Sequence, residues 1–548
     1  MTRGRARLFA HRDRVADPGA RLRRRSAVSA LLFAFGCGPP DAAERPTAEI
    51  AAREASAPGG AVCATILSTN DTHGRLLPSA YPWSEGRELG GVVAMDAHFD
   101  HVRAESPCPV FVFSGGDFMQ GTPISNLSDG EATIAAFDLL GYDAAAIGNH
   151  EFDWGVEVLR ERIGQAGFPI LGANIFRRDT GEHPEWARPY AIVERDGVRI
   201  GVIGLTTRST PTMTKPSNVV ELRFGSIAEA LDRYIPVVRS EGVDFVVVVM
   251  HAGGFCDRDA TCEGEAMSEL GRTSASWDYA VTGHTHSLVE TEIRGIPVVQ
   301  SLSNSTAFGM GRLQRTADGA VSADLLEVRR PYADLHSPDP EVEALVEQYW
   351  LAIADRAQRI VVTFAEPMRH FRDRGEEPLG RLITDAQRAA TGTQVAMMNN
   401  GGIRRGFEAG PVTWEELFEL HPFANRLVVL RLPGRQLLAA LEHALGTAGR
   451  PAAHLSGLTV RYDPAKARGQ RVVSAVLESG DNVRPDELYT VTVNDFMAEG
   501  GNGYVMFGEA ESENLTDYVD LDVLDEYVSA LPQPVPPPTE ARWIAEGG

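Results

Sequence analysis

Ala144-Ala145-Ala146-Ile147-Gly148-Asn149-His150-Glu151-Phe152-Asp153 is the stretch from which the rest of the chain is read. Its four leading apolar residues predict a short buried strand. Gly148 lets the backbone turn sharply at the strand end. An amide, an imidazole and two carboxylates then follow within a few positions. A core has no use for such a cluster, because every buried polar group needs a partner. A strand end that presents ligands to a metal or a phosphate uses all of it.

The same design recurs on either side. Ala64 to Ser68 predicts a strand that runs into Asn70, Asp71 and His73. Val110 to Phe113 ends in Gly115-Gly116-Asp117, Ile170-Leu171 in Asn174, Phe245 to Met250 in His251, and Tyr279 to Val281 in Gly283-His284-Thr285-His286. Helical spacing lies between them, at Gly91 to Arg103 and Ala132 to Leu140. Continuous apolar strands alternating with helices indicate an α/β sheet system covered on both faces, with many parallel pairs. Ligands of such sheets gather at the carboxyl ends of the strands, where Asp71, His73, Asp117, Asn149, His150, His251, His284 and His286 all fall. Oxygen and imidazole donors without thiolates suit zinc, manganese, cobalt or iron. A carboxylate such as Asp117 can bridge two cations about 3.5–4 Å apart. Two divalent cations outweigh the charges of Asp71 and Asp117, so the pocket stays positive and suits a phosphate dianion.

Asp71-x-His73, Gly115-Gly116-Asp117, Gly148-Asn149-His150-Glu151, His251 and Gly283-His284-x-His286 together resemble the five blocks of the calcineurin-like metallophosphoesterases. Met119-Gln120-Gly121 and the run from Gly148 to Gly155 resemble the 5′-nucleotidase branch. The resemblance implies a four-layer metallophosphoesterase β-sandwich flanked by helices over 61–335, then a separate α+β substrate-recognition domain. It implies two divalent cations, one held by Asp71, His73, Asp117 and His286, the other by Asp117, Asn149, His251 and His284. His150 would then face the phosphoryl oxygen or leaving group, and Asp153 would fix the tautomer of His150. The remaining histidines fit no such pattern. His98 and His101, one turn apart, are expected to face solvent, and His183, His370, His443 and His454 lack ligand-like neighbours in the sequence. Gly309-Met310-Gly311 has no helix after it, which speaks against a dinucleotide site.

Asp339 ahead of Pro340 is the expected N-cap of a connecting helix over 336–358. From 359 to 530 the pattern is mixed. Helices are expected at Leu379 to Ala390 and Gln436 to Ala444, and strands at Gln394 to Met398, Leu427 to Leu432 and Tyr489 to Val493. This half resembles the substrate-recognising domain of the 5′-nucleotidases. Asn399, Arg404, Phe423, Phe496 and the 500–503 turn fall on its motifs, and Arg372 and Arg374 are the best matches to its arginine pair. Asn502 stands where that family usually has a ribose-binding Asp, and Pro378 where it usually has Asn. Arg404 beside Gly402 suits a phosphate, and the two Phe rings suit a base. Pro532 to Pro538 predicts an extended tail over 531–548.

Residues 1–37 have the form of a signal segment. Arg21 to Arg25 precede the apolar run from Ser26 to Phe35, then Gly36-Cys37, which resembles a bacterial lipoprotein signal with Cys37 as the lipidated residue. Residues 38–60 are rich in Pro, Ala, Glu and Gly and read as a tether. The expected location is therefore the periplasm or cell envelope. Four cysteines remain, and an even number in an exported protein suggests two disulfides. Cys256 and Cys262 share one loop, while Cys63 and Cys108 each precede a strand that parallel pairing would bring side by side. The net charge of −23 argues against a nucleic-acid backbone as partner and leaves room for a small nucleotide in a locally positive pocket. The preferred function is release of phosphate from nucleoside 5′-monophosphates by metal-activated water. Alternatives on the same core are hydrolysis of UDP-sugars or 2′,3′-cyclic nucleotides, or of a protein-bound thiosulfate as in the sulfur-oxidation branch. The alternative of another class is a surface nucleotide-binding protein.

Overall fold

The computed structural model describes residues 61–81, 83–257, 259, 261–370, 375–446 and 449–546. The first half contains twelve principal strands. These are β1 Val62–Thr69, β2 Val110–Ser114, β3 Ala144–Ala146, β4 Ile170–Leu171, β5 Tyr190–Arg195, β6 Val198–Thr206, β7 Phe245–His251, β8 Tyr279–Val281, β9 Leu288–Ile293, β10 Ile296–Ser301, β11 Phe308–Arg315 and β12 Val321–Arg329. They form two six-stranded sheets, ordered β12-β11-β1-β2-β3-β4 and β9-β10-β8-β7-β6-β5. The central pairings β1–β2, β2–β3, β3–β4, β6–β7, β7–β8 and β8–β10 are parallel, and the outer ones are antiparallel.

The continuous apolar runs are resolved by strand periodicity into two buried faces. Ile66, Phe111, Phe113, Ala144, Ala146, Val247 and Val249 pack between the sheets. Their alternates Leu67, Val110, Val112, Ala145 and Ile147 face the helices Gly91–Glu105 and Glu131–Leu139, while Val246, Val248 and Met250 face Ile227–Ser240 and Glu265–Arg272. Helix, sheet, sheet and helix make four layers, as expected. Gly309-Met310-Gly311 lies within β11, where the chain is extended.

The connecting helix Pro340–Leu351 is capped by Asp339, whose carboxylate accepts from Glu341 N at 2.7 Å, and its Val342, Val346 and Trp350 join the first core. Beyond it, the strands β13 Val395–Asn399, β14 Arg426–Pro433, β15 Ala453–Ser456, β16 Leu458–Tyr462, β17 Val472–Leu477, β18 Leu488–Asn494, β19 Ser512–Val519 and β20 Trp543–Ala545 form sheets ordered β15-β13-β18-β14-β19 and β17-β16-β20. Helices Pro378–Thr391, Trp414–Leu420 and Asp520–Ala530 cover one side and Gly434–Ala444 the other.

Two expectations are corrected. The segment after 531 is no free tail: Val535 bridges to Phe364, β20 pairs with β16, and Trp543 is buried. Local proline content could not show that pairing. His98 is buried, with its Nε2 donating to the Tyr332 carbonyl at 3.1 Å, and half-buried His101 stacks on His336 with ring centroids 4.2 Å apart. The chain 331–339 folds over that helix face and takes it from solvent. Both expected disulfides, Cys63–Cys108 and Cys256–Cys262, are formed. No helix of the described residues is long and apolar enough to cross a membrane. Residues 1–60, with Cys37, and residues 371–374, with Arg372 and Arg374, lie outside the described residues.

Candidate metal centre

The strand ends converge. Asp71, His73 and His286 bring their ligand atoms together in one group, and Asp117, His251 and His284 in a second. His73 Nε2 is 3.0 Å from His286 Nε2, and His286 Nε2 is 3.3 Å from Asp71 Oδ1. In the second group His251 Nε2 is 2.9 Å from Asp117 Oδ2 and 3.2 Å from His284 Nδ1. Backbone carbonyls set the tautomers. His73 Nδ1 donates to Gln120 O at 2.8 Å and His251 Nδ1 to Gly115 O at 2.9 Å, so both Nε2 atoms point into the site.

That arrangement fits a pair of cations. Lone pairs facing one another, or facing a carboxylate, repel unless a positive charge lies among them. Asn149 adds a neutral oxygen, since its Oδ1 is buried without a hydrogen-bond partner, which is costly unless something else takes the lone pairs. Burial and the charges of His286 and Arg404 hold His73 well below the usual imidazole range. Burial, and then His251, holds His284 down at about 3. These two rings are thus neutral, the form that ligates a metal, whereas His251, against the opposing effect of burial, is pushed up to about 9 by Asp117, so a cation on its Nε2 would displace a proton.

Gly148 is required for space. A Cβ there would lie 2.1 Å from Asp117 Oδ1, and its φ is outside the left-handed region that a sharp glycine turn would use. Glu151, for which the sequence suggests no role of its own, is the anchor of the centre. One buried carboxylate accepts from Gly148 N at 2.7 Å, Asp117 N at 2.9 Å, Phe118 N at 2.9 Å and Met119 N at 3.3 Å. It ties the 148–151 turn to the 116–119 turn, and His150 N completes the clamp on Asp117 Oδ1 at 2.8 Å.

His150 stands beside both groups. Its Nδ1 is 2.7 Å from Asp153 Oδ2 and its Nε2 is 3.9 Å from Asp117 Oδ2. Burial opposes a charge on this ring, yet Asp153 and Asp117 raise its pKa above the ordinary imidazole value. Asp153 Oδ1 accepts in turn from buried Thr214 Oγ1 at 2.8 Å. No spacing in the sequence signals Thr214, which lies between two short helical turns on the connection from β6 to β7.

The second domain closes over the centre. The capping box Thr413/Glu416 starts helix Trp414–Leu420, which leads to Pro422 and Phe423. The Pro422 carbonyl accepts from Gln120 Nε2 at 3.2 Å and from Asn126 Nδ2 at 2.7 Å, and Glu419 pairs with Arg75 at 2.6 Å. The Phe423 ring is thereby stacked on His150 with centroids 5.5 Å apart, and Arg404 Cζ lies 5.6 Å from the Phe423 centroid. Asn399 Nδ2 donates to Asn502 Oδ1 at 2.8 Å, and His443 Nε2 donates to the Asn502 carbonyl at 2.9 Å. Phe496 packs on the Gly501 side of that turn, where a Cβ on Gly501 would meet its ring at 2.5 Å.

This sandwich, with its paired His/Asp groups and its closing domain, is that of a metallophosphoesterase carrying a nucleotidase-type second domain. Residues 64–288 match the calcineurin-like phosphoesterase family and residues 357–509 the 5′-nucleotidase C-terminal domain. The chain thus joins a calcineurin-like phosphoesterase domain to a 5′-nucleotidase C-terminal domain, the make-up of a metal-dependent phosphoric monoester hydrolase. It is 29% identical to the 5′-nucleotidase of Vibrio vulnificus (strain CMCP6), over 92% of this chain and 95% of that protein. It is also 29% identical to Endonuclease YhcR of Bacillus subtilis (strain 168), over 89% of this chain, but spans only 41% of that protein's length. The crystal structure of a 5′-nucleotidase precursor from Thermus thermophilus superposes with a TM-score of 0.78 at 29% identity, covering 88% of this chain and 99% of that one.

Proposed function

We propose that the protein is an exported hydrolase that releases phosphate from nucleoside 5′-monophosphates. Asp71, His73, Asp117 and His286 would hold one divalent cation and Asp117, Asn149, His251 and His284 the other, with Asp117 shared. The observation that carries this reading is the pair of three-residue ligand groups, Asp71–His73–His286 and Asp117–His251–His284, supported by the buried Asn149 Oδ1 that has no hydrogen-bond partner. Two bound divalent cations, zinc, manganese or cobalt by the donor set, supply charge neutralisation for the phosphate and an ionised water at neutral pH. His150 faces the phosphoryl group or leaving oxygen, and Asp153 holds its Nδ1–H so that Nε2 is turned to the substrate. Arg404, Asn399 and Asn502 hold the phosphate and sugar side of the nucleotide, and Phe423 and Phe496 its base. Arg372 and Arg374 remain candidates for the same task. The two disulfides support folding in an oxidising compartment, with Cys37 as the lipid anchor.

The test is phosphate release from a panel of nucleoside mono-, di- and triphosphates, UDP-sugars, 2′,3′-cyclic nucleotides and DNA, with manganese and with chelator. Monophosphates should be preferred and chelator should stop turnover. Asp117→Asn should lose metal and activity together, because the shared ligand loses its charge. Two full equivalents of metal with normal turnover in that variant would overturn the assignment.

A further inference from the structure

The loop 210–219 touches both halves of the molecule. Thr214 is 2% exposed, and its hydroxyl donates to Asp153 Oδ1 at 2.8 Å. Asn218 Nδ2 donates to the carbonyls of Phe152 and Asp153, both at 2.9 Å. The loop therefore grips the side chain and the backbone of Asp153 at once. On its other side the same loop meets the second domain. Lys215 Nζ is 2.8 Å from Asp495 Oδ2 and 3.5 Å from Glu499 Oε1, and Ser217 N donates to Glu499 Oε2 at 2.9 Å. Asn502 Nδ2 reaches the Thr212 carbonyl at 3.4 Å. Residues 495–502 form the turn that carries Phe496 and Asn502.

A carboxylate that orients a histidine can rotate about its own Cβ–Cγ bond. A hydrogen bond to its second oxygen stops that rotation and holds the first oxygen on Nδ1, and such outer partners tune a site nearly as strongly as the groups that touch it. Thr214 supplies that bond. Lys215, the next residue, is tied to the opposite domain.

We propose that loop 210–219 is a positioning device that couples the substrate-binding domain to the His150–Asp153 pair: Thr214 and Asn218 fix Asp153, and Lys215, Ser217 and Thr212 bolt the loop to the 495–502 turn. This rests on the reading of His150 and Asp153 as the pair that acts on the phosphoryl group. Its consequence is that the second domain supports turnover even of a substrate without a base.

The experiment compares the full-length manganese-loaded parent with Thr214→Val, Thr214→Ser, Lys215→Met and His150→Ala. AMP and p-nitrophenyl phosphate are the substrates, and bound manganese and circular dichroism are recorded for each protein. Thr214→Val should lower kcat ~10-fold on both substrates, the lower end of what loss of an outer partner costs, with KM and metal content unchanged. Thr214→Ser, which keeps the hydroxyl, should restore most of kcat, and Lys215→Met should lower kcat on both substrates to a smaller extent. Parent-like kcat in Thr214→Val, or a Ser variant no better than Val, would overturn the role of Thr214. An effect of Lys215→Met confined to the KM for AMP would overturn the coupling. If His150→Ala itself turns over like the parent, the reading of the pair fails; if His150→Ala is damaged and Thr214→Val is not, only the present inference fails.

Discussion

Asp71, His73, Asp117, His284 and His286 all have φ between 49° and 78°, in the left-handed region that a non-glycine residue pays to enter. Such backbone persists only where the surroundings over-determine it, and it gathers at functional sites. Here the surroundings are visible. Asp71 is held by Asn70 Nδ2 at 2.7 Å and His284 N at 2.9 Å, and Asp117 by the Glu151 and His150 contacts described above. Glu151→Gln keeps one oxygen but puts an amide NH₂ where two of the four backbone N–H groups now find the other. It should cost about 1–3 kcal/mol in denaturant unfolding, the penalty for leaving buried donors unsatisfied, and should loosen metal retention on dialysis; a parent-like midpoint and metal content would reject the clamp. His150→Ala should keep the metals yet slow turnover by ~10²–10⁴, the span of a positioned proton-transfer group. Metal analysis beside kinetics decides it, because a lost cation would make His150 a ligand instead.

At the level of elements, the parallel pairing of β1 with β2 sets Thr65 opposite Val110, which is why Cys63 and Cys108 meet. Their bridge spans a sequence separation of 45, whereas Cys256–Cys262 spans 6. Removing the first pair as Cys63→Ser/Cys108→Ser should cost about 2–4 kcal/mol and exceed the cost of removing the second, since a longer loop frees more of the unfolded chain. Urea unfolding of the two double variants checks the order. Helix Asp520–Ala530 begins on a buried carboxylate beside buried His421. Burial pushes Asp520 from 3.8 up to about 8. A raised folded pKa means that the neutral acid is favoured in the folded protein. Its contribution to stability is therefore full below about pH 4 and is lost as pH rises through about 8. Asp520→Asn should flatten the fall of stability with pH across that window, as read from thermal unfolding at a series of pH values; an unchanged slope would place the titration elsewhere.

For the whole molecule, the second domain is held over the centre by Arg75–Glu419, by Gln120 and Asn126 on Pro422, and by Lys215 on Asp495. The contribution of Phe496 to binding should be separable from the chemistry. Phe496→Ala should weaken nucleotide binding by ~1–3 kcal/mol, the usual loss for a stacked base, and should leave hydrolysis of a small aryl phosphate nearly unchanged. Equal damage to both substrates would show that Phe496 supports the 495–502 turn instead of the base.

The strand ends whose Asp and His side chains gather into two groups were legible because a chain that places Asp, His and Asn directly after buried apolar runs marks both the strand and its polar end in a few adjacent residues. Cover on both faces followed from the same runs, since β-branched and aromatic residues on both faces demand it, while the four-layer order came from the resemblance to the metallophosphoesterases. What the sequence could not show is every contact between distant segments that carry no pattern of their own. Glu151 is next to His150 in the chain, yet its task is to bind amides 32–34 residues away. Thr214 and Lys215 lie in a loop without a motif, and their partners come from residue 153 and residues 495–499. The last strand, Trp543–Ala545, follows a proline run that by itself reads as extended. In each case the deciding energy is a hydrogen bond or buried surface that exists only once two remote parts of the chain meet, and no local propensity reports it.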